Sequence, residues 1–337
     1  MNKVKKKSFI LTKPILFLLF NRPDLTLKSF EKIREAKPPR LYISIDGPRD
    51  ENKIDKKKIE DVKKIFLNIN WKCELKTLYH KKNLGCRYAV SKAITWFFNN
   101  EKEGIIMEDD NLPHEDFFMF CETLLNHYRN NHNILTISGD NFLQEKTKMS
   151  YSYYFSKYFM GWGWATWRRT WNLYEQSMSF WPKWKLSNEW KKKIPDNIER
   201  LYWEKNFNNV HEKNFNSMAY VFLASLWFGN SKGVNVIPNV NLVSNIGHRS
   251  DATHTTKVDK RSNLPVTSIG KIIHQKKIRE NKEFDKYVFN NHFGGKNLRI
   301  TRSIIYIPLR TIISIIKNII KIFINILLLK KKFNLIL

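Results

Sequence analysis

Cysteine, acidic side chains and nucleotide-binding glycine motifs are scarce or missing in this 337-residue chain, and each absence excludes a class of protein. The three cysteines, Cys73, Cys86 and Cys121, are odd in number, widely spaced and form no C-x-x-C pair. That excludes a disulfide framework and suits a reducing compartment. The nine histidines include no H-E-x-x-H and lie near no cysteine pair, so the common zinc patterns are excluded as well. No G-x-G-x-x-G and no G-x-x-x-x-G-K-[ST] occurs, so neither a dinucleotide fingerprint nor a P-loop organises the chain.

Acidic residues number 31 against 59 Lys and Arg, a net charge of +28. Such an excess is compatible with nucleic acid, an anionic membrane surface or phosphorylated substrates. It is spread along a chain rich in Lys, Asn and Ile, and part of it reflects composition rather than a partner. A nucleic-acid-binding protein is one rival reading, but no nucleic-acid motif accompanies the charge. The basic N-terminus runs into an apolar segment interrupted by Lys13 and Pro14, with no small-residue cleavage site, and reads as mature protein rather than a signal peptide.

What is present is ample material for a core, 42% hydrophobic and 14% aromatic residues, arranged with an alternating period. Strands are expected at 15–20, 41–45, 74–79, 104–107 and 134–138. Helices are expected at 25–36, capped by Asp24 and stopped by Pro38-Pro39, at about 54–69, at 89–98 and at 115–129. Strands alternating with helices imply an α/β fold, a Rossmann-like, mainly parallel sheet covered on both faces. In this setting E-G-I-I-M-E-D-D-N-L-P-H places Glu108, Asp109 and Asp110 at the carboxyl end of a buried strand, the edge where open α/β sheets bind ligands. A divalent cation bridging carboxylate and diphosphate oxygens would explain acids in so basic a chain.

Residues 304–329 are dominated by Ile and Leu. Arg310, Ser314, Lys317, Asn318, Lys321 and Asn325 recur there at helical spacing as a narrow polar stripe, and Lys330 to Lys332 follow. The pattern predicts an amphipathic helix in the plane of an anionic membrane surface. A helix docked on the main domain and a true membrane span are the alternatives. Charges at Lys317 and Lys321, near the middle, argue against a span.

Several segments occur together in one order: I-L-F-L-L-F-N-R-P, I-S-I-D-G-P-R, N-L-G-C-R-Y-A-V, I-I-M-E-D-D-N-L-P, S-G-D-N, G-W-G-W-A-T-W-R-R, and I-P-N-V-N-L-V-S-N-I-G followed by D-A-T-H-T. Over residues 14–256 the chain resembles GT-A nucleotide-sugar glycosyltransferases, especially bacterial hemolysin HlpA-like glycosyltransferases and the N-acetylglucosaminyltransferase I family. The resemblance implies a GT-A domain over 1–256, followed by a linker and short structured segment at 257–300 and the basic tail at 301–337. It implies transfer, inverting in stereochemistry, from a nucleotide-sugar, by expectation a UDP-sugar, to a cell-surface glycan or lipid-linked acceptor. It implies Mn²⁺ or Mg²⁺ as cofactor and a cytoplasmic location on the inner face of the membrane, with an anionic membrane surface and no nucleic acid as partner.

Residue by residue, the resemblance puts Arg22 near the nucleotide, Asp46 on the base, Glu108 and Asp109 toward ribose and donor sugar, and Asp110 on the metal with His254 approaching it or the diphosphate. Gly161, Trp162, Gly163 and Trp164 would form the wall beside the reacting sugar, since flat apolar rings cover the C–H faces of a pyranose. One position departs from the pattern. Ala219 stands where the bacterial group carries the Asp expected as general base, leaving Asp140, Glu212 and Asp251 as candidates. The other consequence would be a catalytically silent relative that still binds nucleotide-sugar or glycan.

Overall fold

The structure is a computed structural model, and it describes residues 9–50, 52–143, 149–249, 261–302 and 306–333. The first half alternates as its periodicity requires: β1 (Ile15–Leu19), α1 (Pro23–Ala36), β2 (Arg40–Ile45), α2 (Lys53–Ile65), β3 (Glu74–Tyr79), α3 (Gly85–Asn100) and β4 (Glu103–Glu108). These four strands are parallel in the order β3-β2-β1-β4. All five β1 residues are buried, because both faces of the sheet are covered. Ile15, Phe17 and Leu19 share one core with Phe30 of α1 and Val62 of α2, while Leu16 and Leu18 share another with Ala93 and Phe97 of α3. Gly104 is required by this packing, since a Cβ there would lie 2.3 Å from the Phe97 ring.

Helix α1 begins at Pro23, a position where a missing N–H costs nothing. Asp24, expected as its cap, instead lies in the first turn, where its carboxylate pairs with Arg249. The helix ends at Lys37 in the left-handed conformation (φ 48°) before the two prolines. Asn52 caps α2 by accepting from the N–H groups of Ile54 and Asp55.

The second half contains β5 (Asn111–Pro113), α4 (Asp116–His127), β6 (Ile134–Ser138), β7 (Tyr153–Ser156), β8 (Trp164–Trp167), α5 (Arg168–Trp171), α6 (Trp181–Trp184), α7 (Asn188–Lys193), α8 (Asn197–His211), α9 (Met218–Gly229), β9 (Val234–Pro238) and β10 (Val243–Asn245). The full sheet has the order β3-β2-β1-β4-β8-β6-β9-β7. β8 runs antiparallel between β4 and β6, β9 is parallel to β6, and β7 is the antiparallel edge. The expected α/β class, a mixed and mainly parallel sheet with helices on both faces, is the one observed. Near the end of β4, β5 and β10 pair as a separate antiparallel ribbon.

Helices α10 (Lys282–Asn291) and α11 (Gly295–Arg302) follow, and Val288 and Phe289 of α10 are buried in the larger core. Asp285 of α10 accepts from the Ser156 hydroxyl and the Lys157 N–H at the end of β7. α12 (Tyr306–Phe333) extends for 28 residues, and its side chains from 311 to 324 are exposed, among them nine Ile and Phe. Among the described residues no helix is long and apolar enough to cross a membrane.

Candidate active site

Strand β4 delivers its acids in order. Ile105, Ile106 and Met107 are fully buried, and the chain leaves the sheet at Glu108. The N–H of Asp109 donates to the Leu18 carbonyl at 3.1 Å, and the Asp109 carbonyl accepts from the Ser29 hydroxyl at 2.9 Å. Arg22, at the start of α1, meets both following carboxylates. Its Nε donates to Asp109 Oδ2 at 3.0 Å, and its Nη2 to Asp109 Oδ1 and, at 3.0 Å, to Asp110 Oδ2.

Electrostatics follow from this crowding. Burial, then the neighbouring Asp110 and Asp109, push the Glu108 carboxyl up to about 8. Burial raises Asp109 to about 6 against the opposing pull of Arg22. Burial opposes charge on Arg22 too, but Asp109 and Asp110 outweigh it and hold the guanidinium ionised. Arg22 is bonded to Asp109 and Asp110, while burial beside those two acids favours the protonated form of Glu108.

Asp110 is held on its other side by amides. Its Oδ1 accepts from Asn111 Nδ2 at 2.9 Å and, more weakly, from Asn245 Nδ2 at 3.4 Å, while its carbonyl accepts from the Ile246 N–H at 3.0 Å. Gly247 packs against the carboxylate so closely that a Cβ there would lie 2.1 Å from Oδ2. The next residue, His248, is buried and meets the Trp162 ring edge-to-face at 5.7 Å between centroids. The β5–β10 ribbon thus folds the N-V-N-L-V-S-N-I-G-H segment over the acids.

Asp46 leaves β2 toward the same edge. Its carboxylate accepts from the N–H groups of Gly47 (2.8 Å), Leu84 (2.9 Å) and Gly85 (3.1 Å) and from Asn83 Nδ2 (3.0 Å). It anchors the entry to α3, where Gly85 adopts φ 76°. Cys86 follows; burial and then Glu108 raise its thiol to about 12, and its surroundings include the Met218 backbone, Asp110 and Asp46. The N-terminus of α9 therefore lies beside Cys86, with Ala219 exposed as its second residue. Glu212, also exposed, closes α8 and accepts from Asn214 Nδ2. A few residues on, Asn216 accepts from the Arg87 N–H at 2.8 Å.

The aromatic segment divides. Trp164 belongs to β8 and packs in the core on Phe159 and Phe222. Gly161 and Trp162 stay half-buried, and the Trp162 ring rests on Phe142 at 5.0 Å. Gly163, at φ 62°, donates to Asn111 Oδ1 at 2.8 Å and accepts from the Gly139 N–H at 2.7 Å. Asp140, at the end of β6, is 1% exposed. Burial lifts its carboxyl to about 8, against the backbone N–H groups of Asp140 and Trp162, and its Oδ1 has no hydrogen-bond partner among the described residues. So enclosed, Asp140 steadies the Trp162 segment. Asp251 and His254 lie outside the described residues.

Among the described residues no three His, Cys, Asp or Glu side chains are grouped to hold a metal ion. Mg²⁺-like cations, however, commonly take one or two carboxylates and fill the remaining positions with phosphate oxygens and water. Glu108 and Asp110, at the carboxyl end of β4, could supply up to two such carboxylates, with Asp110 Oδ2 now bonded to Arg22. Asn111, Asn245, Gly247 and His248 were not among the residues singled out from sequence. The N-I-G-H run beside the expected D-A-T-H-T was the available signal for the last two.

No family model and no curated protein matches this chain. Solved structures similar to it include HddC from Yersinia pseudotuberculosis, at 9% identity over 47% of this chain and 78% of that one, with a TM-score of 0.29. A UDP-glucose pyrophosphorylase complexed with UDP-glucose is 12% identical over 44% of this chain and 64% of that one, with a TM-score of 0.26. The inositol-1-phosphate CTP transferase from T. maritima is 6% identical over 68% and 85%, with a TM-score of 0.33. Likenesses this distant concern α/β architecture alone, and no residue's role is taken from them.

Proposed function

We propose that the chain is a GT-A-type glycosyltransferase that moves a sugar from a nucleotide-sugar, in the first instance a UDP-sugar, to a glycan or lipid-linked acceptor with the help of Mn²⁺ or Mg²⁺. The observation that carries this reading is the acidic triplet at the carboxyl edge of β4. Arg22 pairs with Asp109 and Asp110, and burial beside those two acids raises Glu108 to about 8. A divalent ion held by Asp110 and Glu108 would neutralise the oxygens of the departing diphosphate. Arg22 would turn from the acids toward the same phosphates, and Asp46 would keep the α3 entry loop in place beside the nucleotide. Trp162 would offer its ring to the sugar or acceptor and, with the β5–β10 ribbon, exclude water from the donor.

Asp110→Ala tests the reading. UDP with Mn²⁺ is expected to raise the melting temperature of the wild type and not of the variant, because a ligand that binds only the native state stabilises it. Equal metal-dependent shifts in both proteins would remove Asp110 from the site. Ala219 supports a second reading, a relative that binds donor without turning it over. The exposed α12 supports attachment to an anionic inner membrane face, which would bring the site to lipid-linked acceptors.

A further inference from the structure

Asn111 follows the acidic triplet and is 1% exposed, yet every polar atom of its side chain is engaged. Its Oδ1 accepts from the Glu108 N–H at 3.1 Å and from the Gly163 N–H at 2.8 Å, and its Nδ2 donates to Asp110 Oδ1 at 2.9 Å. The amide can sit only one way round, since the two backbone groups are donors and the carboxylate is an acceptor. Gly139 also holds the aromatic segment, by donating to the Gly163 carbonyl. Asn111 is the side chain that bonds both that segment and Asp110.

The segment it holds has no slack. Gly163 sits at φ 62°, and a Cβ there would lie 3.0 Å from Val243 Cγ2 and 3.2 Å from Phe117 Cζ. A backbone wedged in this way shifts as a unit with the groups bonded to it, because close-packed interiors transmit displacement instead of absorbing it. We infer that Asn111 is a positioning residue that couples the acidic triplet to the aromatic segment, so that whatever engages Asp110 resets the Trp162 wall. The inference rests on the glycosyl-transfer reading for its meaning: donor diphosphate at one end of the link, acceptor at the other, and ordered binding as the result. The link itself is a property of the protein without ligands.

A double-mutant cycle read by amide hydrogen exchange over residues 159–167 tests it. Asp110→Ala is expected to speed exchange there about five-fold, the worth of roughly one buried hydrogen bond, although Asp110 touches none of those amides. In an Asn111→Asp background, which keeps an oxygen toward Gly163 but sets a carboxylate against Asp110, the same change should not speed exchange. Asn111→Leu, if it folds, should speed exchange whether or not Asp110 is present. An unchanged rate in Asp110→Ala, or an equal increase in the wild-type and Asn111→Asp backgrounds, would overturn the coupling. Adding UDP with Mn²⁺ should slow exchange in the wild type and leave the segment unaffected in Asn111→Asp. Failure of UDP to bind the wild type at all would sink the nucleotide-sugar reading, while the ligand-free cycle still decides the role of Asn111.

Discussion

Asp140 is a carboxyl that folding keeps protonated. Its ordinary value in an unfolded chain is near 3.9, and burial lifts it to about 8 in the fold. The folded state therefore binds this proton more tightly, so the associated stability is complete below about pH 4 and is lost as pH rises through about 8. In urea unfolding, the wild-type midpoint should fall from pH 5 to pH 8, and Asp140→Asn, which carries no titrating proton, should flatten that limb. Part of the slope will persist through Glu108, Asp109 and Asp285, which burial raises to about 8, 6 and 7. An identical pH profile in the variant would mean that Asp140 is ionised in its pocket. Sequence could nominate this residue from S-G-D-N but could not show its enclosure, because that depends on the Trp162 segment, which lies elsewhere in the chain.

Among the elements, those legible in sequence were the ones built locally. β1 to β4 with α1 to α3 follow from apolar periodicity and turn residues, and their observed spans differ from expectation by a few residues at the ends. β8 could not be read in this way. Its W-A-T-W looks like a binding wall, and it becomes a strand only by inserting between β4 and β6, 30 to 60 residues away in sequence. The three-residue β5 and β10 are too short to show a period, although they position Asp110.

Helix α9 carries the prediction that separates enzyme from silent relative. Its N-terminus, beside Cys86, presents Ala219. Ala219→Asp would place a carboxylate where the helix dipole favours it by about 0.3–1 kcal/mol. If a base is what the wild type lacks, transfer or donor hydrolysis should rise by about 10²- to 10⁴-fold with little change in UDP affinity. A slow wild type that gains nothing from this substitution would place the acceptor hydroxyl elsewhere.

At the scale of the molecule, α12 exposes a broad Ile-rich surface with Lys317 and Lys321 on its polar stripe, and no acid lies between 301 and 337. A chain ending at Arg302 should lose sedimentation with anionic vesicles that the full chain shows, since insertion and about 1 kcal/mol per near-surface cation leave together. Equal sedimentation of both would assign membrane binding, if any, to the main domain.

The strand order also sets how far the chain must close to build this edge. β4 pairs with β1 through Ile105 and Ile15, a longer closure than the one that brings Trp164 of β8 to Ile106 of β4 or to Ser138 of β6. Long closures are slow to nucleate. Along the chain the residues of the charged pole come first, and the Gly163 and Asn245 contacts that cover it wait for β8 and β10.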